Sequence, residues 1–295
     1  MVHTLLRKSI TQFFPSCRIV SIQRFSKGIM NKTFDVTLSD GRHVIFRYYP
    51  GEKWKPAKEE YVYHIVQRKT SVPVPKFLGR GKQFSILEKI EGKELDLRDE
   101  KGIREAGKFL AQLHSIHFPK YGWIVGRTIT PGFRSWYDFL VFDTKEKLKK
   151  LPKTPEYTKM GKTVMQILKD HKALLQIHEK PCLLHKDYHS SHIITSGKIQ
   201  GIIDFEWAIA GHSEFDLAKS LLWMFNGSLL EKIFLQGYGS VKKISKDFVH
   251  RKRLYMLLTS LSSLAISHDC KNRRWCIHNK KELMGMIKHE YNENG

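Results

Sequence analysis

The sequence predicts an α+β protein of two lobes: an N-terminal antiparallel sheet with one helix, then a mostly helical C-terminal lobe. Three observations predict it. The 295 residues suffice for two packed cores, and 41% hydrophobic and 12% aromatic content supply them. Up to about residue 90, short apolar-rich runs are separated by polar turns. From Asp99 onward the apolar spacing lengthens to that of helices. The division is placed at residue 90, giving lobes 1–90 and 91–295.

In the first lobe, Arg18–Arg24, Thr33–Leu38 and His43–Tyr48 read as strands of a meander, punctuated by Lys27-Gly28 and Ser39-Asp40-Gly41. A helical pattern with Val62, Ile65 and Val66 runs from about Lys55 to Lys69 and is ended by Val72-Pro-Val-Pro75. Phe84–Ile90 supplies another strand. In the second lobe, Ile103, Ala106, Leu110, Leu113 and His114 share one face of a helix that ends near His117. Further helices are expected at 134–150, 157–178, 215–225 and 247–267, with a hairpin formed by His192–Thr195 and Ile199–Ile203 about Ser196-Gly197.

The 51 Lys and Arg against 29 Asp and Glu give a net charge of +22, which favours anionic partners and disfavours a polycationic one. No run approaches the roughly 18 apolar residues of a membrane span, and the first 17 residues lack the apolar core of a secretory signal. Four cysteines without a CxxC pair read as reduced thiols, so a cytoplasmic location without membrane contact is expected.

The chemistry lies between Leu184 and Trp207. If the segment folds back at Ser196-Gly197, His192 at one end and Asp204 at the other come side by side, with Asp187 just before the first strand. Such a cluster holds a hard divalent ion through His192 and Asp204, and leaves Asp187 to accept the proton of an incoming hydroxyl. Phosphoryl transfer requires that division of labour.

His185-x-Asp187-x4-His192 followed by Asp204-Phe205-Glu206 resembles the Brenner motif and the metal-binding DFG segment of the kinase-like superfamily. More closely, His185-Lys-Asp-Tyr-His-Ser-Ser-His192 resembles the HGDxHxxN loop of the aminoglycoside phosphotransferase and choline kinase-like family. Gly107–His114 is similar to that family's G..LA.LH helix, and Ala210–Ala218 to its GDPxxDLA segment. The likeness spans about residues 20–225. Only twelve positions separate Asp204 from Asp216, too few for the activation segment on which a protein kinase docks a peptide, so a small-molecule acceptor is expected.

The resemblance implies a protein-kinase-like fold. Residues 1–90 become the nucleotide-binding lobe and 91–295 the catalytic and acceptor-binding lobe. It also implies an alcohol-directed phosphotransferase that uses ATP or GTP with Mg2+. Asp187 becomes the catalytic base, Asp204 and His192 the metal ligands, and Asp216 a brace for the catalytic loop. His185 and His189 become loop-shaping residues. His192 stands where asparagine is usual; an imidazole is softer and admits Mn2+ as well. Gly28 falls in the nucleotide-covering loop, and Arg47 takes the place of the phosphate-holding lysine, with Glu59 or Glu60 as partner and Glu59 the better fit. Glu88 and Ile90 end the strand whose backbone meets the base of the nucleotide.

Other readings stand beside these. His185, His189 and His192, or His268, Cys270, Cys276 and His278, offer zinc-ligand types, the second set without the usual short spacing. Gly79-Arg-Gly81-Lys82 lacks the Walker A spacing and reads as a turn. Late basic runs, such as Lys242 to Arg253, read as solvated helix faces, with RNA contact the minority reading and no nucleic-acid module present. A catalytically inactive nucleotide-binding protein and an RNA-associated basic protein are the alternatives to the kinase.

Overall fold

The computed structural model describes residues 2–26, 30–225 and 227–292. Gly28 lies outside the described residues. Five strands, β1 (Ile19–Arg24), β2 (Lys32–Leu38), β3 (His43–Tyr48), β4 (Phe77–Arg80) and β5 (Phe84–Glu88), form one antiparallel sheet in the order β1-β2-β3-β5-β4. Side chains alternate across a strand, so Phe34, Val36, Val44, Phe46, Phe84 and Ile86 gather on one face. A helix absent from the sequence expectation covers them: α1 (Val2–Phe13) buries Leu6 and Ile10, one turn apart, against this face. Each such burial contributes roughly 1.5–3 kcal/mol.

The same alternation sends Arg47 of β3 to the opposite face, in register with Ser85 of β5. Helix α2 (Lys55–Lys69) lies on that side with the expected bounds. Its Val62, Tyr63, Ile65 and Val66 join the large core of the second lobe, so α2 is shared between the two halves. The strand expected to reach Ile90 ends at Glu88, and the Ile90 side chain packs where a Cβ on Gly201 would stand.

The rest is mostly helical: α3 (Glu100–Leu113), α4 (Trp136–Lys149), α5 (Pro155–Asp170), α6 (Ser213–Met224), α7 (Leu230–Gly239), α8 (Phe248–Asp269) and α9 (Arg273–Asn292). Asp99 caps α3 by accepting the Gly102 amide at 3.0 Å. Helix α5 is shorter than its expected 157–178 stretch: Thr154 and Pro155 start it earlier, but the His171 ring closes it on the Ile167 carbonyl at 2.9 Å. Helices α7 and α9 were not anticipated. Gly107 of α3 lies against the α7 backbone at Phe234, and Gly237 of α7 against the carbonyl of Arg104. A side chain at either glycine would push the two helices apart.

Two small antiparallel sheets thread this lobe. One orders β11 (Ile199–Ile202), β10 (Ile193–Thr195) and β6 (Lys93–Glu94); the other orders β8 (Thr128–Phe133), β7 (Tyr121–Val125), β12 (Ile209–Gly211) and β9 (Cys182–Leu184). The expected hairpin is β10–β11, pairing Ile193 with Ile202 and turning at Gly197 with φ 71°. No described helix is long and apolar enough to cross a membrane. Cys17, Cys182, Cys270 and Cys276 are free thiols.

Several late basic residues are spent inside the lobe. Arg251 is buried against Glu214 at 2.6 Å, Lys252 pairs with Glu231, Lys150 with Asp269 and Lys280 with Glu156.

Candidate active site

The loop between β9 and β10 is held from beneath. Asp216, buried near the start of α6, accepts the backbone amides of His185 at 2.6 Å and Lys186 at 2.8 Å. Lys186 takes φ 66°, a left-handed conformation that a lysine adopts only where the surroundings over-determine it. His114, the last residue of the motif on α3, places Nε2 3.5 Å from Asp216 and Nδ1 2.8 Å from the Tyr238 hydroxyl. Burial disfavours the charged carboxylate of Asp216, but His114 and the Lys186 amide outweigh it and hold the pKa below the usual range.

His185 uses both ring nitrogens for structure: Nε2 donates to the Ile203 carbonyl at 3.0 Å and Nδ1 accepts the Asp187 amide at 3.2 Å. The ring is thereby excluded from ligation, and burial lowers its pKa to about 4. Ile203 in turn donates its amide to the His192 carbonyl at 3.0 Å, which brings His192 beside Asp204.

His192 is oriented by its own loop. A carbonyl oxygen can only accept, so the 2.9 Å contact with the Asp187 carbonyl places the proton on Nδ1 and leaves the Nε2 lone pair facing Asp204 Oδ2 at 3.6 Å. Ligand bonds to magnesium are about 2.0–2.1 Å, so two donors 3.6 Å apart can share one ion. Among the described residues, ligand atoms of Asp187, His189 and His192 also lie within 4.8 Å of one another. The other histidine–cysteine set does not gather: His268 bonds Tyr157, Cys270 faces Met30 and His278 faces Glu282.

Asp187 Oδ1 is 3.2 Å from Lys219 Nζ, and Oδ2 is 3.4 Å from His192 Nδ1 and 3.7 Å from His189 Nε2. Burial alone would raise its pKa; Lys219 and the two imidazoles reverse this and hold it far below the carboxylate range. The residue is an anion at every physiological pH.

Asp204 sits at φ 70° and donates its amide to the Tyr63 hydroxyl of α2 at 3.1 Å. Its Oδ1 accepts from Arg47 Nη1 at 3.0 Å, and the same nitrogen bonds Glu59 Oε1 at 2.7 Å. Burial opposes the charge of Asp204, yet Arg47 keeps its pKa lowered. Glu59 is the carboxylate that meets Arg47, whereas Glu60 faces outward to Arg80 at 2.6 Å. Tyr49 adds a short hydroxyl contact to Glu59. The Glu88 amide is committed to the Lys76 carbonyl at 2.9 Å.

Two groups of site residues were missed by sequence reasoning. Glu206 accepts from Asn31 at 2.6 Å and Lys55 at 3.0 Å, while its carbonyl accepts from Lys58 at 2.6 Å. The signal was present: Lys55, Lys58 and Glu59 put three charges on a helix face that also carries Val62. Lys219 was the second. It stands three residues after Asp216, hence on the same face of α6.

Residues 21–251 match the model of the phosphotransferase enzyme family APH, and the chain belongs to that family. A homoserine kinase of Neisseria meningitidis serogroup B is 24% identical over 248 residues, which cover 77% of this chain and 76% of that one. The structure superposes on that of aminoglycoside phosphotransferase APH(4)-Ia with TM-score 0.72 and 16% identity, covering 98% and 99% of the two chains. It superposes on a Thermobifida fusca protein provisionally assigned as a fructosamine-3-kinase with TM-score 0.74 and 16% identity, covering 97% and 98%. The fold is therefore kinase-like α+β, and the chain is a phosphotransferase-family protein of the small-molecule kinase type.

Proposed function

We propose that the protein transfers the γ-phosphoryl group of ATP or GTP to a hydroxyl of a small molecule. The observation that carries this is the convergence of Asp187, His192 and Asp204 opposite the buried Arg47–Glu59 pair. Residues 1–90 would form the nucleotide-binding lobe and 91–295 the catalytic and acceptor-binding lobe. A structure of APH(4)-Ia is a ternary complex with AMP-PNP and hygromycin B, which supports a nucleotide and a small acceptor sharing such a cleft. The free thiols support a cytoplasmic setting.

Asp187 accepts a hydrogen bond from the acceptor hydroxyl and takes its proton as the oxygen bonds to phosphorus. With its pKa held low, Asp187 serves chiefly to orient the nucleophile, which suits a loose transition state with late proton transfer. His192 Nε2 and Asp204 Oδ2 would hold Mg2+, or Mn2+, which supplies charge neutralisation between the phosphates. Arg47 holds Asp204 in place and brings a fixed positive charge to the phosphate side. The backbone from Glu88 to Ile90 would meet the base.

The test is a coupled assay of nucleoside diphosphate release over an acceptor panel, run with ATP and with GTP and repeated without Mg2+. Acceptor-dependent, metal-dependent release is expected. A protein that binds nucleotide without release for any acceptor would overturn the enzymatic assignment.

A further inference from the structure

The short connection 150–154 lays α5 beside α4, and at Gly161 the two helices approach so closely that an added Cβ would stand 3.3 Å from Leu148. Between them runs an open groove of about 670 Å3, lined only by these helices and their connection, so no third element of the described chain covers it. Thr158, Gly161, Lys162, Met165, Gln166 and Lys169 follow one another at helical spacing, a stripe of α5 about 16 Å long. Opposite them, Tyr137, Val141 and Leu148 share one face of α4. Asp143 and Lys147, the α4 charges that act on Lys186 of the catalytic loop, lie roughly 100–140° further round that helix, so the groove is turned away from the phosphoryl-transfer groups. Val141, Leu148, Leu151 and Met165 make the groove apolar, and its rim is basic. Among the described residues that line it none is acidic. Lys149 is spent on Glu146, but Lys153, Lys162 and Lys169 are exposed and have no ionic partner among the described residues. Glu156 and Asp170, which flank the lining residues in sequence, are engaged by Lys280 and Gln166.

We propose that the α4–α5 groove is a docking site for an acidic amphipathic helix of a partner protein, which lays its apolar face on Val141, Leu148, Leu151 and Met165 and sets carboxylates against Lys153, Lys162 and Lys169. Two helices side by side leave a channel that a third fills, and the stripe on α5 is long enough for about three of its turns. The placement of charge selects the occupant. The three free lysines are spread along the groove, from the connection to the last turn of α5. An acyl anion carries its charge at one end only, whereas a helix can present an acid at every second turn. Lys162 and Lys169 are seven residues apart, about 10.5 Å along the axis, which is the spacing of acids at i and i+7 on a helix lying alongside. A second copy of this chain would bring its own net charge of +22 against a basic rim, so an acidic partner is favoured over self-association.

The experiment is fluorescence anisotropy of the full chain with a dye-labelled helical peptide of about 18 residues, leucine at i, i+3, i+4 and i+7 and glutamate on the other face, in about 0.15 M salt. Two further probes serve as comparisons: the same composition scrambled to remove the periodicity, and the same pattern with lysine for glutamate. The acidic amphipathic probe is expected to bind roughly tenfold or more tightly than either. Lys162→Glu with Lys169→Glu should weaken it about tenfold, whereas Lys101→Glu with Lys108→Glu on α3, which changes the net charge equally, should leave it within about twofold. Met165→Gln should weaken it through the apolar face alone. Both lysine pairs are exposed, so the fold is kept in each. Equal binding of the scrambled probe, or equal loss in the two double variants, would reduce the contact to general charge attraction and overturn the proposal. Absence of binding overturns it too, and so does displacement of the probe by micromolar dodecanoate, which would give the groove to an acyl anion.

Discussion

Arg47 on β3 donates to Asp204, 157 residues later in the chain, at 3.0 Å, so one guanidinium joins the first sheet to the loop after β11. Its side chain is almost fully buried and also serves Glu59. Arg47→Met would leave the buried Glu59 and the half-buried Asp204 carboxylates facing each other without a cation. A loss of about 3–5 kcal/mol in urea unfolding is expected, along with weakened nucleotide binding. Unfolding within error of wild type would show that the pair holds nothing together.

Asp187→Asn removes the carboxylate but keeps the shape of the loop. Turnover should fall by roughly 10²–10⁴-fold, with nucleotide affinity within a few-fold of wild type. Near-native turnover in this variant would remove Asp187 from the chemistry.

His192 carries the metal prediction. His192→Asn exchanges an imidazole for a harder carbonyl oxygen and should raise the preference for Mg2+ over Mn2+, measured as the ratio of activation constants. His192→Ala should weaken activation by both ions. Unchanged metal dependence in both variants would place the ion elsewhere, with Asp187 and His189 the nearest candidates.

Stability should depend on pH through His185. Its folded pKa is lowered to about 4 by burial, whereas an unfolded histidine titrates near about 6.5. Between these values the unfolded chain binds a proton that the folded one refuses. Stability is therefore full above about 6.5 and declines as pH falls toward 4, by at most about 3 kcal/mol. Denaturant melts from pH 7.5 to 4.5 read this slope, and His185→Gln should flatten it. An identical slope in that variant would assign the proton to another group.

Much of the site was legible because it is local in sequence. Asp187, His192 and Asp204 flank one hairpin, so period-two geometry and a three-residue turn suffice to bring them together. Glu59 could be preferred over Glu60 from its position relative to Val62, Tyr63 and Val66, and it is Glu59 that meets Arg47. The helix over Lys55–Lys69 was legible because prolines bound both ends. What escaped depends on distant partners. Helix α1 has only Leu6, Ser9 and Ile10 buried, a stripe with meaning only once a sheet needs covering. The β7 and β8 strands contain Gly122, Pro131 and Gly132, residues that ordinarily mark loops. Helix α9 is so basic that its pattern reads as a solvated surface. The Lys58–Glu206 contact bridges 148 positions and has no local signature.

That last contact bears on control. Asn31, Lys55 and Lys58 all end on Glu206, two residues beyond Asp204, and burial draws the pKa of Lys58 down to about 7. A kinase that switches by swinging its first-lobe helix outward needs that helix to part from the metal-binding loop without stranding buried polar groups. Here the departure would uncover a buried lysine ammonium, a carboxylate and a backbone carbonyl together. Helix α2 is riveted to the loop it would have to leave, and an outward swing of that helix would strand all three groups at once.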